Sequence, residues 1–407
     1  MNKNIKLAVA GAVLAMSATA ANAGIIIPAG EWTIDINGNV NAFAIASKAK
    51  GSGTAVTGGI ATVQDALGER NTQGINAGLL PAWLGFTGTT RQNDLDVGFT
   101  ISFQPTVSDS QGAGSSTSPE WRQANVTFGD KSWGSIKLGK DLGIFASDAI
   151  LNDMTLLGVG ALGSGGVNPI AGSTTTFGGI GTGYIYAAWK GQVSYTTPNM
   201  NGFQATVGLM QPNLASTTAG AANSAIHQDR FGLEGKASYA FTGDVLNGKV
   251  WVSGASYEIQ TATAGVSYSA TAADLGANVN AGGFGATGYI YKGEGVGTTL
   301  FGANGAVGST NVKRDSNGGY AQLTYTLPTK TKIGLAYGIS SVDLANTDTA
   351  AASNNLVKDN ERMTLGAYHP LTKHLNLVAE YSNIESKAHS GLKNENNIGS
   401  LGAIMFF

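Results

Sequence analysis

The 407-residue sequence contains no cysteine, so no disulfide framework supports the fold; sheet closure or core packing must do so instead. Charged residues make up 12% of the chain, about half the ~25% usual in soluble proteins. Yet no segment holds the roughly 18 consecutive apolar residues that a transmembrane helix requires, and mean hydropathy is only +0.02. There is no basic excess, with 24 basic against 26 acidic residues, which argues against a nucleic-acid partner. The four histidines, His227, His369, His374 and His389, show neither a nucleophile–base arrangement nor metal-ligand spacing. The glycine run from Gly178 to Gly183 resembles a phosphate-binding loop only loosely. Neither an enzyme nor a metal or other cofactor is therefore expected. Only nine prolines occur, composition is even from Gly30 onward, and no linker divides the chain.

The first residues carry their own signal. Lys3 and Lys6 precede an apolar stretch from Leu7 to Met16, and Ala21-Asn22-Ala23 is a small-x-small cleavage site. The reading is a secretory leader over 1–23 and one domain over 24–407. Removing Lys3 and Lys6 from the charge balance leaves the mature chain at about −4.

Period-two alternation fills the rest. Trp32, Ile34, Ile36, Val40, Ala42 and Ala44 share one face, and Thr33, Asp35, Asn37, Asn39 and Asn41 share the other. The pattern returns at Leu95–Phe103, Phe203–Leu209, Phe231–Phe241 and Val250–Ser256. Low charge, middling hydropathy and alternation without apolar 20-mers fit a transmembrane barrel, where lipid-facing and lumen-facing residues average out. A secreted β-rich adhesin is the structural rival on composition.

Short turns are expected near 89–94, 130–132, 198–201, 242–248, 293–297, 328–330 and 370–373. Longer loops are expected near 48–70, 105–120, 141–187, 211–226, 260–280, 308–317, 343–357 and 387–393. Fifteen connections imply sixteen antiparallel strands with both ends on one side, as a closed barrel demands. The glycine-rich stretch 281–307 has the least definite boundaries. Phe86, Phe128, Trp133, Tyr195, Phe203, Phe241, Trp251, Tyr325 and Tyr368 cluster beside the short turns, as an interfacial aromatic girdle does. In the last strand Leu401, Met405 and the final Phe407 share a face. This pattern resembles the terminal signal read by the bacterial barrel-assembly machinery.

Several motifs resemble the Gram-negative trimeric porins in the family's order. They are Leu84-Gly85-Phe86-Thr87-Gly88 with Leu95-Asp96-Val97-Gly98-Phe99, and Arg122-Gln123-Ala124-Asn125-Val126 with Trp133-Gly134-Ser135-Ile136-Lys137-Leu138-Gly139-Lys140. Val193 to Phe203, containing Thr196-Thr197-Pro198-Asn199-Met200-Asn201-Gly202, is the most specific; Tyr368-His369-Pro370-Leu371-Thr372-Lys373-His374 follows late.

The resemblance implies a homotrimer of sixteen-stranded barrels in outer-membrane lipid, each with its third loop folded inward. It also implies passive diffusion of small polar solutes and ions. The long connection 141–187 supports such a loop, with Ile150, Met154 and Leu157 striping a short helix over 146–157. Carried over by position, acidic Asp148 and Asp153 would face basic Arg122 and Lys190 across the constriction, with Lys140 and Asp141 where the loop leaves the wall. Alternation alone puts Arg122 in the outward register of Ala124 and Val126, so its direction stays open. Trp83, Leu157 and His374 stand where relatives often carry charge, which points to weak selectivity. A channel specific for a sugar, organic acid or anion is the alternative, although the scattered basic residues form no arginine ladder.

Overall fold

The computed structural model describes residues 24–51, 53–65, 67–108, 120–163, 174–211, 230–261, 263 and 265–407. Residues 1–23, where a leader is expected, and His227 lie outside these. Among the described residues, eighteen strands join in one antiparallel sheet. They begin with β1 (Ile25–Ala29), β2 (Trp32–Gly51), β3 (Asn71–Asn76), β4 (Trp83–Gln92), β5 (Leu95–Gln104) and β6 (Glu120–Asp130). Next come β7 (Gly134–Leu142), β8 (Trp189–Thr196), β9 (Phe203–Met210), β10 (Gly232–Thr242), β11 (Leu246–Gln260) and β12 (Ser267–Ala281). The last are β13 (Phe284–Glu294), β14 (Asp315–Thr326), β15 (Lys332–Val342), β16 (Val357–Pro370), β17 (Leu375–Ala388) and β18 (Lys393–Phe406).

The sheet closes on itself where β18 pairs with β2, from Asn394 opposite Gly51 to Phe406 opposite Asn39. Closure leaves no free edge, which hydrocarbon would not tolerate. The ring has sixteen places. β1 is a short hairpin on the foot of β2, continuing the line of β18, and β3 and β4 share one place on the other edge of β2. The break between β3 and β4 contains Pro81, which has no N–H to give a ladder. Its backbone groups find other partners: Asn39 and Asn41 donate to the carbonyls of Pro81 and Leu80 at 2.9 Å each, and Gly78 N–H reaches Asn41 Oδ1 at 2.9 Å.

Two-residue turns fall where the sequence permits positive φ. Asn93 and Asp94 sit at φ 49° and 61°, and Gly282 and Gly283 at 54° and 89°. The second turn corrects the sequence reading, which put a loop at 260–280 and a turn at 293–297. β12 occupies most of that expected loop, and the long connection instead runs over 295–314. The cause is β12's composition: Tyr268, Ala270, Ala272 and Asp274 face inward against Ser269, Thr271, Ala273 and Leu275 outward, and small residues on both faces leave little polarity contrast. The numbers of short turns and loops are unchanged by the shift.

The aromatic girdle is also corrected. Trp251 and Tyr368 are 2% and 3% exposed and face the interior, whereas Trp133, Tyr195 and Phe203 are on the exposed outer face. Nor is the lumen polar throughout. On β2 the inward Asn39 and Asn41 give way to inward Phe43 and Ile45, which join a buried cluster with loop residues Ile60, Phe145, Leu156, Ile180 and Tyr184. Loops folded into the ring bury these side chains.

Candidate pore constriction

The third loop, residues 143–188 between β7 and β8, turns inward at Ala146, whose φ of 59° is left-handed. It forms α1 (Ser147–Asn152) and a 3-10 turn at Met154–Leu157. The expected helix is thus divided at Asp153, which caps the turn by accepting from Thr155 N–H at 2.9 Å. Ile150 and Met154 are buried as the stripe requires.

Wall side chains satisfy the loop's backbone at each step across the lumen. Glu234 Oε2 on β10 accepts from the amides of Ile144 and Phe145 at 2.6 and 2.9 Å. Tyr320 on β14 donates to Ala149 O at 2.8 Å, while Gln322 holds Asn152 O and Met154 N–H at 2.7 and 2.8 Å. Glu380 Oε2 on β17 accepts from Val159 and Gly160 at 2.7 and 2.9 Å. Gly158 O then receives Leu79 N–H at 2.8 Å, within the break between β3 and β4. A β-carbon on Gly78 would lie 2.1 Å from that Gly158 oxygen, so glycine permits the contact. Through these contacts the described part of the loop spans the ring with its backbone groups paired at each crossing point.

Its two carboxylates meet basic residues of the wall. Asp148 bonds Lys236 on β10 at 2.9 Å and also pairs with Lys249 on β11. Asp153 accepts Tyr184 O–H at 2.9 Å and pairs with Arg362 on β16 at 3.3 Å; both charged side chains are 0% exposed. Lys190 touches neither carboxylate. Its ammonium donates to Glu234 at 2.7 Å and to the phenolic Oη of Tyr257 at 3.1 Å. Asp141 faces inward, pairing with Lys137 and accepting Gln123 Nε2–H at 3.0 Å.

Arg122 and Lys140 have different placements. Between Ser102 and Phe103 the β5–β6 register skips Arg122, making it the extra residue of a β-bulge. The bulge releases it from the outward register, and it donates to the phenolic Oη of Tyr186 at 2.9 Å on the returning limb of loop three, with a pair to Glu120 at 2.6 Å. Lys140 remains in the outward register of Leu138 and donates to Trp121 O at 2.7 Å, away from the loop carboxylates. Lys236, Lys249, Arg362, Glu234 and Glu380 were not singled out by sequence reasoning. Inward positions on alternating strands are their only sequence signal; which wall position meets which loop segment follows from closure.

Loop one also enters the ring. Ser386 Oγ on β17 accepts from the amides of Ile60 and Ala61 at 2.8 and 2.9 Å, and Asn394 Oδ1 on β18 accepts from Val56 at 2.9 Å. Loops one and three, held both by apolar packing and by buried polar side chains such as Asn360, Arg362, Ser386 and Asn396, therefore occupy the sector from β11 round to β2. The inward residues of β4 to β10 are mostly polar, including Thr87, Thr100, Gln123, Thr127, Lys137 and Thr206, with the paired carboxylates Asp141 and Glu234 and the apolar Trp83 and Met210 among them.

Nearer the loop ends lies a cavity of about 350 Å³ between connections 295–314 and 343–356. Here Arg314 grips Asp348 through Nε at 2.8 Å and a terminal nitrogen at 2.6 Å. The Arg314 hydrogen bonds, helped by Ala345 N–H and the guanidinium charge, hold the Asp348 carboxyl below its ordinary value. A depressed folded-state pKa adds stability that is complete above the unfolded value near ~4 and is lost as pH falls through the folded one. Protection of the 343–356 amides, taken relative to the intrinsic exchange rate at each pH, should be constant from pH 7 to 5 and fall below about pH 4; uniform protection down to pH 2 would remove this pair as the loop's lock.

The sequence matches the Gram-negative porin family over residues 8–389. No curated protein matches it by sequence. Among solved structures, the outer-membrane channel DcaP of Acinetobacter baumannii superimposes with a TM-score of 0.69 at 17% identity, covering 95% of this chain and 100% of that one. OmpF of Salmonella typhi gives 0.59 at 14% identity, covering 94% and 100%. OmpT of Vibrio cholerae gives 0.58 at 14%, with the same coverages. At these identities the structures speak for the fold alone, while the family match spans nearly the whole chain. The protein is a member of the Gram-negative porin family, an outer-membrane channel and not an enzyme.

Proposed function

We propose that the channel passes small hydrophilic solutes and ions with weak charge selectivity, along the polar wall from β4 to β10. The carrying observation is that both loop-three carboxylates, Asp148 and Asp153, are neutralised by wall cations. Paired charges cancel much of the field that would otherwise sort ions. Asp141 and Lys190, each paired on the wall, add little net charge to the path. Arg122 borders the path where the loop returns; Lys140 has no part in it. The proposed assembly is a homotrimer, the arrangement named for one OmpT structure of Vibrio cholerae. Leu401, Met405 and Phe407, in one outward register, are the proposed recognition face for the assembly machinery.

The cysteine-free chain makes the route testable. Thr127→Cys should react with a water-soluble cationic methanethiosulfonate, and conductance should fall on modification. Val126→Cys, one residue along and on the exposed outer face, should be shielded by lipid. Equal reactivity at the two positions, or modification of Thr127→Cys without change in conductance, would place the path elsewhere.

A further inference from the structure

Asp35 Oδ1 on β2 is buried and has no hydrogen-bond partner. A lone carboxylate oxygen removed from water is costly, and its presence calls for a donor. Ile26 lies directly across the hairpin from Asp35, and Gly24 is its diagonal neighbour two residues before Ile26 on the same face. A β-carbon built on Gly24 would fall 2.1 Å from Asp35 Oδ1 and 2.9 Å from its Cγ, so the residue's backbone lies against the carboxylate, and a larger residue would have to displace the Asp35 side chain. The β1–β2 ladder begins at Ile25 opposite Ile36. Beyond it, the place opposite Gly38 is taken by Phe407, which exchanges both backbone hydrogen bonds with Gly38 at 2.9 and 3.1 Å. The ladder position that the residue preceding Gly24 would take is therefore occupied.

These observations converge on the Ala21-Asn22-Ala23 site. We propose that the mature chain begins at Gly24 and that its α-ammonium is the missing partner of Asp35. Hydrolysis of the Ala23–Gly24 peptide bond by water, in the reaction of a leader peptidase, leaves a carboxyl group on Ala23 and an amine on Gly24. At neutral pH that amine carries a proton. It supplies donors where an amide N–H does not reach Oδ1, and its charge offsets the carboxylate. Processing thus completes the foot of the barrel at the closing strands.

The experiment uses full-length protein isolated from outer membranes. N-terminal sequencing should begin at Gly24. The α-amine of the folded barrel should then be acetylated by an N-hydroxysuccinimide ester at pH 7 at least ten-fold more slowly than in Asp35→Asn. If that variant is not recovered folded, the pH profile of the wild type decides. Pairing with a carboxylate moves the labelling midpoint above that of the denatured chain, whereas burial alone moves it below. A first residue other than Gly24, equal acetylation rates, or a midpoint at or below the denatured value would overturn the proposal. Neither readout depends on conductance.

Discussion

Replacing Arg362 with alanine should destabilise the barrel by about 3–5 kcal/mol and detach loop three from β16. Arg362 and Asp153 are fully buried, and Tyr184 donates to the same carboxylate. Removing the guanidinium leaves an uncompensated charge in a low-dielectric space. It also removes contacts to Thr155 and Thr364 at 3.4 and 3.2 Å. The loop would escape toward water, because Asp153 can be solvated only by leaving the wall. Urea unfolding in detergent should show the lower midpoint, and proteolysis should cut within 143–188 before the strands. Pairing Arg362→Met with Asp153→Leu should recover much of the loss, since an apolar pair leaves no buried charge. An unchanged midpoint in the single variant would mean that this pair does not anchor the loop.

Converting Asp148 to asparagine should shift ion preference toward anions. Asp148 is the shared partner of Lys236 and Lys249, and asparagine preserves its shape while leaving both ammonium groups uncompensated. One unit charge in water at about 5 Å from a passing ion is worth about 0.8 kcal/mol, or roughly a four-fold change in local ion concentration. The reversal potential in a salt gradient should move accordingly, most at low ionic strength, where screening is weakest. Stability should fall less than in Arg362→Ala, because Lys236 and Lys249 are about a quarter and a third exposed, at 23% and 32%, and water can solvate them. A reversal potential equal to that of the wild type would place these lysines off the ion path.

The barrel was legible because alternation, turn chemistry and loop count agree over most of the chain. It blurred where polarity contrast vanished, in the alanine- and serine-rich β12, and so the turn belonging to Gly282–Gly283 was placed too late. The rule of a polar lumen failed at Phe43, Ile45, Ile384 and Ile398, all inward and buried. Those positions face loops one and three rather than water, and loop placement is a tertiary fact that a strand's own residues do not encode. Of the proposed constriction, only the loop side had a signal in the sequence. Asp148 and Asp153 lie on loop three, but the cations that pair with them come from β10, β11 and β16, far along the chain. Arg122 shows the same limit at one residue: a bulge set by pairing with β5 redirects it.

Planar-bilayer recording of the wild-type protein in a potassium chloride gradient tests the account most directly. A water-filled channel whose loop carboxylates are paired with wall cations should conduct in steady, near-ohmic steps grouped in threes. Its reversal potential should stay close to zero. A reversal potential near the limit for potassium or for chloride alone would contradict weak selectivity, and the absence of conductance from correctly folded protein would contradict the open polar path itself.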